Sequence, residues 1–351
     1  MKKLLTILVA VLMIFGLAAC NNGGNSGNEG SNEGGETAAT SIEKLTVMYV
    51  PSRPAEDIIT ATSGLGDIII KEMSKKGFEI GAVEIAISED YNACGEALSA
   101  GTADVGYVPG GTYVLYSDEI NLLVTATRDN LVPDATDPNE WNVNPTTREE
   151  GVPVTYYKGL IYAAPTEKGK AVAAKVAAGE ELTWEELDAC TWVVGSVTSG
   201  AQYIYPNLWL KENYDKTLND LSNKVNLKYP EAFQQAAAEQ VDIITCYADG
   251  RMDYEGQWNG EWGRDDTIWN QLPVIGVTQN IYNDTVCLAK TGPNAEVLTN
   301  PEFMSAFADV LMNLKNSEEG KTAIGIYSHT GYVLGNDKDY DVTRNALAAM
   351  E

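Results

Sequence analysis

The sequence predicts an α/β protein of two lobes with a cleft between them. Three observations carry this. Short apolar runs of strand length alternate with segments of helical periodicity along most of the chain. The alternation comes in two sets of similar size, interrupted by polar, aromatic stretches at 129–154 and 249–270. After the second set the chain closes with helices that have no sheet of their own. Those helices should pack back on the first lobe, so the path runs lobe one, lobe two, lobe one. At 351 residues, 44% of them apolar, the chain is long enough for two such lobes with real cores. The expected division is 42–155 and 279–351 for lobe one and 156–278 for lobe two.

The first residues bear on the compartment. Met1-Lys2-Lys3 is a short basic region, Leu4–Phe15 an apolar run, and Leu17-Ala18-Ala19-Cys20 ends it with small residues before a cysteine. A secretory leader over 1–19 has this build, and the apolar run is short for a membrane span. The Leu-Ala-Ala-Cys ending resembles the lipobox of bacterial lipoproteins, which implies cleavage before Cys20 and a lipid on that residue. Residues 20–41 are mostly Gly, Asn, Ser and Glu and read as a flexible tether.

Composition narrows the partners. A formal charge of −26 argues against nucleic acid and against an anionic membrane surface. Beyond Cys20 the cysteines are Cys94, Cys190, Cys246 and Cys287. None has zinc-type spacing, so no metal site is expected; one disulfide stays open.

In lobe one, Leu45–Val50 reads as a strand ended by Pro51, and Leu65–Lys76 as a helix with Leu65, Ile68, Ile69 and Met73 on one face. Ile80–Ile87 is a strand, Asp90–Ala100 a helix, Ala103–Val108 a strand, Thr112–Tyr116 a short helix and Asn121–Ala126 a strand. Such alternation predicts a largely parallel sheet. The stretch 129–154 reads as a surface insertion before the first crossing between lobes.

In lobe two, Tyr156–Ala163 is a strand, Glu167–Ala177 a helix, and Thr183 to Leu187 a short helix with a capping-box pattern. Trp192–Val194 is a buried strand. Gly195 to Gly200 follows, rich in hydroxyls, and Ala201–Lys211 is helical. A strand, a small-residue turn and a helix start point unpaired N–H groups and a partial positive charge at one spot. Such an end either binds an anion or is an ordinary cap closed by Thr198 or Ser199. Val225–Leu227 is a strand, Pro230–Ala238 a helix, and Val241–Tyr247, Leu272–Val277 and Thr285–Ala289 are strands. Pro301–Asn313, Ser317–Ile324 and Asp341–Met350 are the closing helices.

Five stretches in order carry a family likeness: 45–52, 88–114, 195–206, 229–244 and 328–347. Together they resemble the phosphonate/phosphite-type substrate-binding proteins of ABC transporters. The resemblance implies a type II periplasmic-binding-protein fold, with a small ligand trapped between two α/β lobes, no cofactor, no catalysis, an ABC permease as partner, and a monomer held at the cell membrane by the Cys20 lipid. It implies that Ser196, Thr198, Ser199 and Gly200 hold the oxyanion, with N–H groups of Ala201 and Gln202. It also implies site roles for Tyr91, Tyr107, Pro109, Gly110 and Asp242. Tyr247 is a further candidate wall of the cleft. The family's cleft histidine has no counterpart here, since His329 in the tail is the sole histidine.

Two other readings stay open. A cleft of Trp, Tyr and carboxylates in so acidic a chain suits a cationic or heteroaromatic solute, with the Trp-rich 249–270 stretch in the pocket. A hydrolase using Ser199 would need a base beside it, and the one histidine lies far away in sequence.

Overall fold

The computed structural model describes residues 40–348. The leader, Cys20 and nearly all of the tether lie outside the described residues. The strands are β1 (Ser41–Tyr49), β2 (Glu79–Ile87), β3 (Val105–Val108), β4 (Ile120–Val132), β5 (Thr147–Val154), β6 (Tyr156–Ala163), β7 (Trp192–Val194), β8 (Lys224–Asn226), β9 (Ile243–Tyr247), β10 (Val274–Tyr282), β11 (Thr285–Ala289) and β12 (Gly331–Leu334). They form two sheets. The first has the order β12-β4-β11-β3-β1-β2 with β5 on the end of β4, and the second the order β10-β6-β9-β7-β8. This is a two-lobed α/β architecture of the type II binding-protein kind.

The sheets are mixed rather than largely parallel. β1 runs parallel to β2 and β3, and β7 parallel to β8 and β9. β11 is antiparallel to both β3 and β4, and β6 to both β9 and β10. The reversed strands β6 and β11 each directly follow a crossing between lobes. A chain that leaves one sheet and later returns must enter each sheet against the direction set by the βαβ units.

Each lobe has its own core. In lobe one, Leu45, Val47, Ile69, Leu98 and Val105 are buried with Phe303 and Phe307 from the helix Pro301–Asn313. That closing helix therefore packs on lobe one. Each large side chain so buried contributes about 1.5–3 kcal/mol. In lobe two, Leu160, Tyr162, Phe233, Ile244 and Trp258 are buried together. The short helix Trp184–Asp188 starts with the capping box of Thr183 and Glu186. Cys94, Cys190, Cys246 and Cys287 are all buried and unbridged.

The lobes are joined at two crossings that are bonded to each other. Thr155 links β5 to β6, and Asn283-Asp284 links β10 to β11. β10 pairs with β6 through Tyr282, so the second crossing lies past 278. The Asn283 N–H donates to the Thr155 carbonyl at 2.9 Å, and its amide to Val154 at 3.2 Å. The Tyr340 hydroxyl donates to the Asn283 carbonyl at 2.9 Å.

The two interruptions are structured. Residues 129–154 are a β-ribbon: the end of β4 pairs with β5 from Arg128 to Val132. The tip straps onto lobe two. Trp141 is buried there, and Asn142 exchanges two 2.8 Å hydrogen bonds with the backbone of Val274. The stretch 249–270 holds the helix Gly250–Asn259 and the short helix Ile268–Gln271. Trp258 is core, with its indole N–H on Gln271, and Trp269 lies under the Arg251 guanidinium at 4.6 Å.

Candidate functional site

Ends of strands converge between the two sheets. β1 is followed by Val50, Ser52 and Arg53, β2 by Tyr91, and β3 by Pro109; β7 is followed by Ser199 and Gly200, β8 by Tyr229, and β9 ends in Tyr247. All of these line one cavity, with Arg128, Tyr157, Asp284 and Tyr327 completing it. The parallel strands of both lobes thus aim their carboxyl ends at one place, where open α/β sheets bind ligands. The lobes are drawn together, and the cavity is about 30 Å³. An outer chamber of about 210 Å³ adjoins it, sharing Tyr91 and Tyr229 and lined further by Asp90, Asn92, Ser196 and Gln202.

The turn after β7 opens the second-lobe wall. Ser199 caps the helix start by accepting from the Gln202 N–H at 3.3 Å. Gly200–Ile204 is wound as a π-turn, with the Tyr205 N–H reaching the Gly200 carbonyl, before the α-helix Tyr205–Tyr214. Single π-turns of this kind are frequent at functional sites. As first residues of the helix, Gly200 and Ala201 have N–H groups without an intrahelical acceptor. A Cβ at Gly200 would stand 3.0 Å from Ile281 and 3.2 Å from the Tyr157 hydroxyl, a tight fit that asks those side chains to shift.

The charges come from distant segments. The Arg53 guanidinium, from lobe one, donates to Asp253 at 2.5 Å and to the Tyr247 hydroxyl. Arg128 donates to Asp249 at 2.7 Å and to Asn283 at 2.8 Å, and lies 4.5 Å from the centre of the Tyr157 ring. Arg148 of the ribbon reaches the same Asp249 at 3.0 Å. Both aspartates stand on or beside the helix Gly250–Asn259, so this stretch serves the cleft through its carboxylates. No tryptophan lines the cavity.

The remaining expected site residues divide. Tyr91, Pro109, Ser199, Gly200 and Tyr247 line the inner cavity; Ser196 and Gln202 line the outer chamber. Thr198 is fully buried and accepts from Thr112 of lobe one at 3.0 Å, so it is a contact between lobes. Ala201 is core. Gly110 touches neither space; a side chain there would press on Tyr340 at 2.8 Å. Tyr107 stacks on Tyr49 in the lobe-one core, ring centres 4.2 Å apart. Asp242 is a correction: it stands at the amino end of β9, away from the cavity. There it accepts from the Thr166 hydroxyl at 2.6 Å and the Thr191 N–H at 2.8 Å, tying two loops.

Arg53, Arg128, Tyr157, Tyr229, Asp284 and Tyr327 escape the sequence reading. Arg53 had a signal, since it follows the end of the first strand directly. Ser199 bonds Tyr229 and the Gln202 N–H, neither of which is a base that would activate it.

Comparison with known proteins places this geometry. No curated protein matches the chain. In solved structures, a binding protein component of an ABC phosphonate transporter from Pseudomonas aeruginosa superposes with TM-score 0.60 at 12% identity, over 87% of this chain and 85% of that one. PhnD1 from Prochlorococcus marinus in complex with methylphosphonate gives 0.60 at 13%, over 88% and 98%. A Xanthomonas citri protein bound to ATP gives 0.58 at 12%, over 88% and 96%. At such identities the likeness shows the fold. The family model described as ABC transporter, phosphonate, periplasmic substrate-binding protein matches residues 47–340. With the match spanning most of its length, the chain belongs to the phosphonate substrate-binding proteins of ABC transporters.

Proposed function

We propose that this protein is a lipid-anchored receptor that captures a small oxyanion, phosphonate-, phosphite- or phosphate-like, and delivers it as a monomer to an ABC permease. The observation that carries the reading is the turn after β7. Ser199 and Gly200 line the cavity at an open helix start, and Arg53 and Arg128 line it from other elements. Backbone donors and a partial positive charge suit an oxyanion, and two guanidiniums are donors of the charge-assisted kind.

The test is calorimetric titration with phosphate, phosphite and methylphosphonate. A hydrogen bond to a charged ligand is worth about 1.5–3 kcal/mol, so Ser199→Ala should weaken the best of these by about tenfold to a hundredfold. Unchanged affinity would make the turn a plain cap. A second reading, a cationic or heteroaromatic solute, draws on the five tyrosines and Asp284 in the cavity wall. It takes over if none of the three anions binds.

Anchoring has its own test. Cells fed an alkyne fatty acid should label the wild type and leave a Cys20→Ala variant unlabelled and released from the membrane fraction. Equal labelling of both removes the lipid from the proposal.

A further inference from the structure

The inner cavity and the outer chamber differ in size and in lining. The cavity is about 30 Å³ and holds Arg53 and Arg128. The chamber is about 210 Å³ and lies between the same lobes, with Pro51 and Asn92 on the lobe-one side and Val197 and Leu227 on the other. The turn after β7 serves both spaces. Ser199 and Gly200 line the cavity, while Ser196, Val197 and Gln202 line the chamber. Tyr91 and Tyr229 wall both, and the Tyr229 hydroxyl meets that of Ser199 at 3.2 Å. An anion seated at Ser199 therefore has the chamber beside it. A bare phosphate or a methylphosphonate leaves that chamber to water.

We infer that the chamber receives an organic substituent of the ligand, about the size of an aromatic ring and carrying an N–H or O–H. The inference rests on the oxyanion reading above and names its class: organic phosphonates or phosphate monoesters in preference to the bare anions. Size is the first argument. An engineered apolar cavity of about 150 Å³ takes up benzene, and this chamber is larger. The lining is the second. Pro51, Tyr91, Val197, Leu227 and Tyr229 give it apolar and aromatic walls from both lobes, among a few polar groups, as small-molecule sites have. Asn92 is the third. It stands in the first turn of the helix Tyr91–Ser99 and lines the chamber, and its Oδ1 is buried with no hydrogen-bond partner among the described residues. An acceptor in that state keeps its desolvation cost until a donor meets it. The amide's last torsion is broad and two-fold, so a ligand in the chamber can meet its oxygen.

The probes are methylphosphonate, benzylphosphonate and the ring isomers of hydroxybenzylphosphonate, titrated calorimetrically into the protein near neutral pH. Benzylphosphonate is methylphosphonate with a phenyl group added, and even one methylene fitted into an apolar pocket is worth about tenfold or more. Benzylphosphonate should bind at least about tenfold tighter than methylphosphonate, and the best hydroxybenzyl isomer at least about threefold tighter again. Leu227→Trp puts an indole into the chamber and should bring the benzyl-to-methyl ratio below about threefold. Asn92→Leu keeps the shape, removes the acceptor and should erase the advantage of the hydroxyl. Melting temperatures report the folding of both variants, and the wild-type series stands without them. A wild-type gain from the phenyl group below about tenfold overturns the inference and leaves the oxyanion reading intact. So does a folded Leu227→Trp protein that keeps the gain. A hydroxyl advantage that is missing from the wild type, or kept by a folded Asn92→Leu protein, overturns the N–H or O–H part. Failure of the wild type to bind any of these phosphonates overturns both the inference and the oxyanion reading.

Discussion

Gly111→Val is expected to abolish ligand capture while leaving the protein folded. Gly111 lies in the short lobe-one helix Gly110–Leu115, and its nearest neighbours belong to lobe two. A Cβ there would stand 2.3 Å from the Thr198 carbonyl oxygen and 2.4 Å from Ile204. The first contact is with backbone, which cannot swing aside. Gly111 is not among the residues with positive φ, so a side chain suits its own conformation. The conflict therefore exists only when the lobes meet. If the closed form falls below about one molecule in a hundred, apparent affinity falls at least about a hundredfold. Calorimetry with methylphosphonate would read the loss. Small-angle scattering should show the wild type contracting with ligand and the variant unchanged. The melting temperature should move by no more than about 2 °C, a shift that corresponds to under about 1 kcal/mol for a chain of this size. Full affinity in a folded variant would mean that this contact between lobes is absent from the bound state.

Arg128→Met is the second large effect, and here the fold itself should suffer. Arg128 is 5% exposed and ties three things: Asp249 of lobe two, Asn283 of the second crossing, and the Tyr157 ring beside the first. Methionine keeps much of the volume and removes the charge. Asp249, 1% exposed, is then left with the half-buried Arg148 alone. Removing one partner of a buried pair costs about 3–5 kcal/mol, because the other charge stays buried. Urea unfolding should show this loss. Adding Asp249→Leu should recover about 1–3 kcal/mol of it, since no unpaired carboxylate remains. Ligand affinity should stay low in both variants, because one cavity wall has lost its cation. A loss below about 1 kcal/mol in the single variant would class the pair with solvent-exposed bridges.

The candidate site was legible where chemistry is local. Residues 195–200 announce a small-residue turn between a buried strand and a helix, and Ser199 and Gly200 do line the cavity. Tyr91 and Pro109 also stand at such strand ends. Asp242 and Tyr107 were misplaced for related reasons. Asp242 and Tyr247 bracket one apolar strand, and only its pairing alongside β7 directs Tyr247 to the cleft and Asp242 to the far edge. Tyr107 lies in a strand buried along its whole length, where alternation of polarity offers no clue to which side faces a ligand. The stretch 129–154 lacked periodicity because β5 is largely exposed, while Leu131 and Trp141 are buried in the lobe-two core.

By itself the sequence determined the two alternating α/β sets, the helix caps, the family likeness and the turn after β7. The elements, the caps and the turn depend on spacing within about a dozen residues, the range over which helical and strand periodicity and capping act, and the likeness on the order of such stretches. The tertiary structure alone decided the electrostatics of the cleft. Arg53 meets Asp253 across 200 positions and Arg128 meets Asp249 across 121. Neither arginine carries a local mark of its partner. Coulomb attraction depends on distance and on the dielectric between the groups, and both are set only when the two lobes exclude water from the space between them.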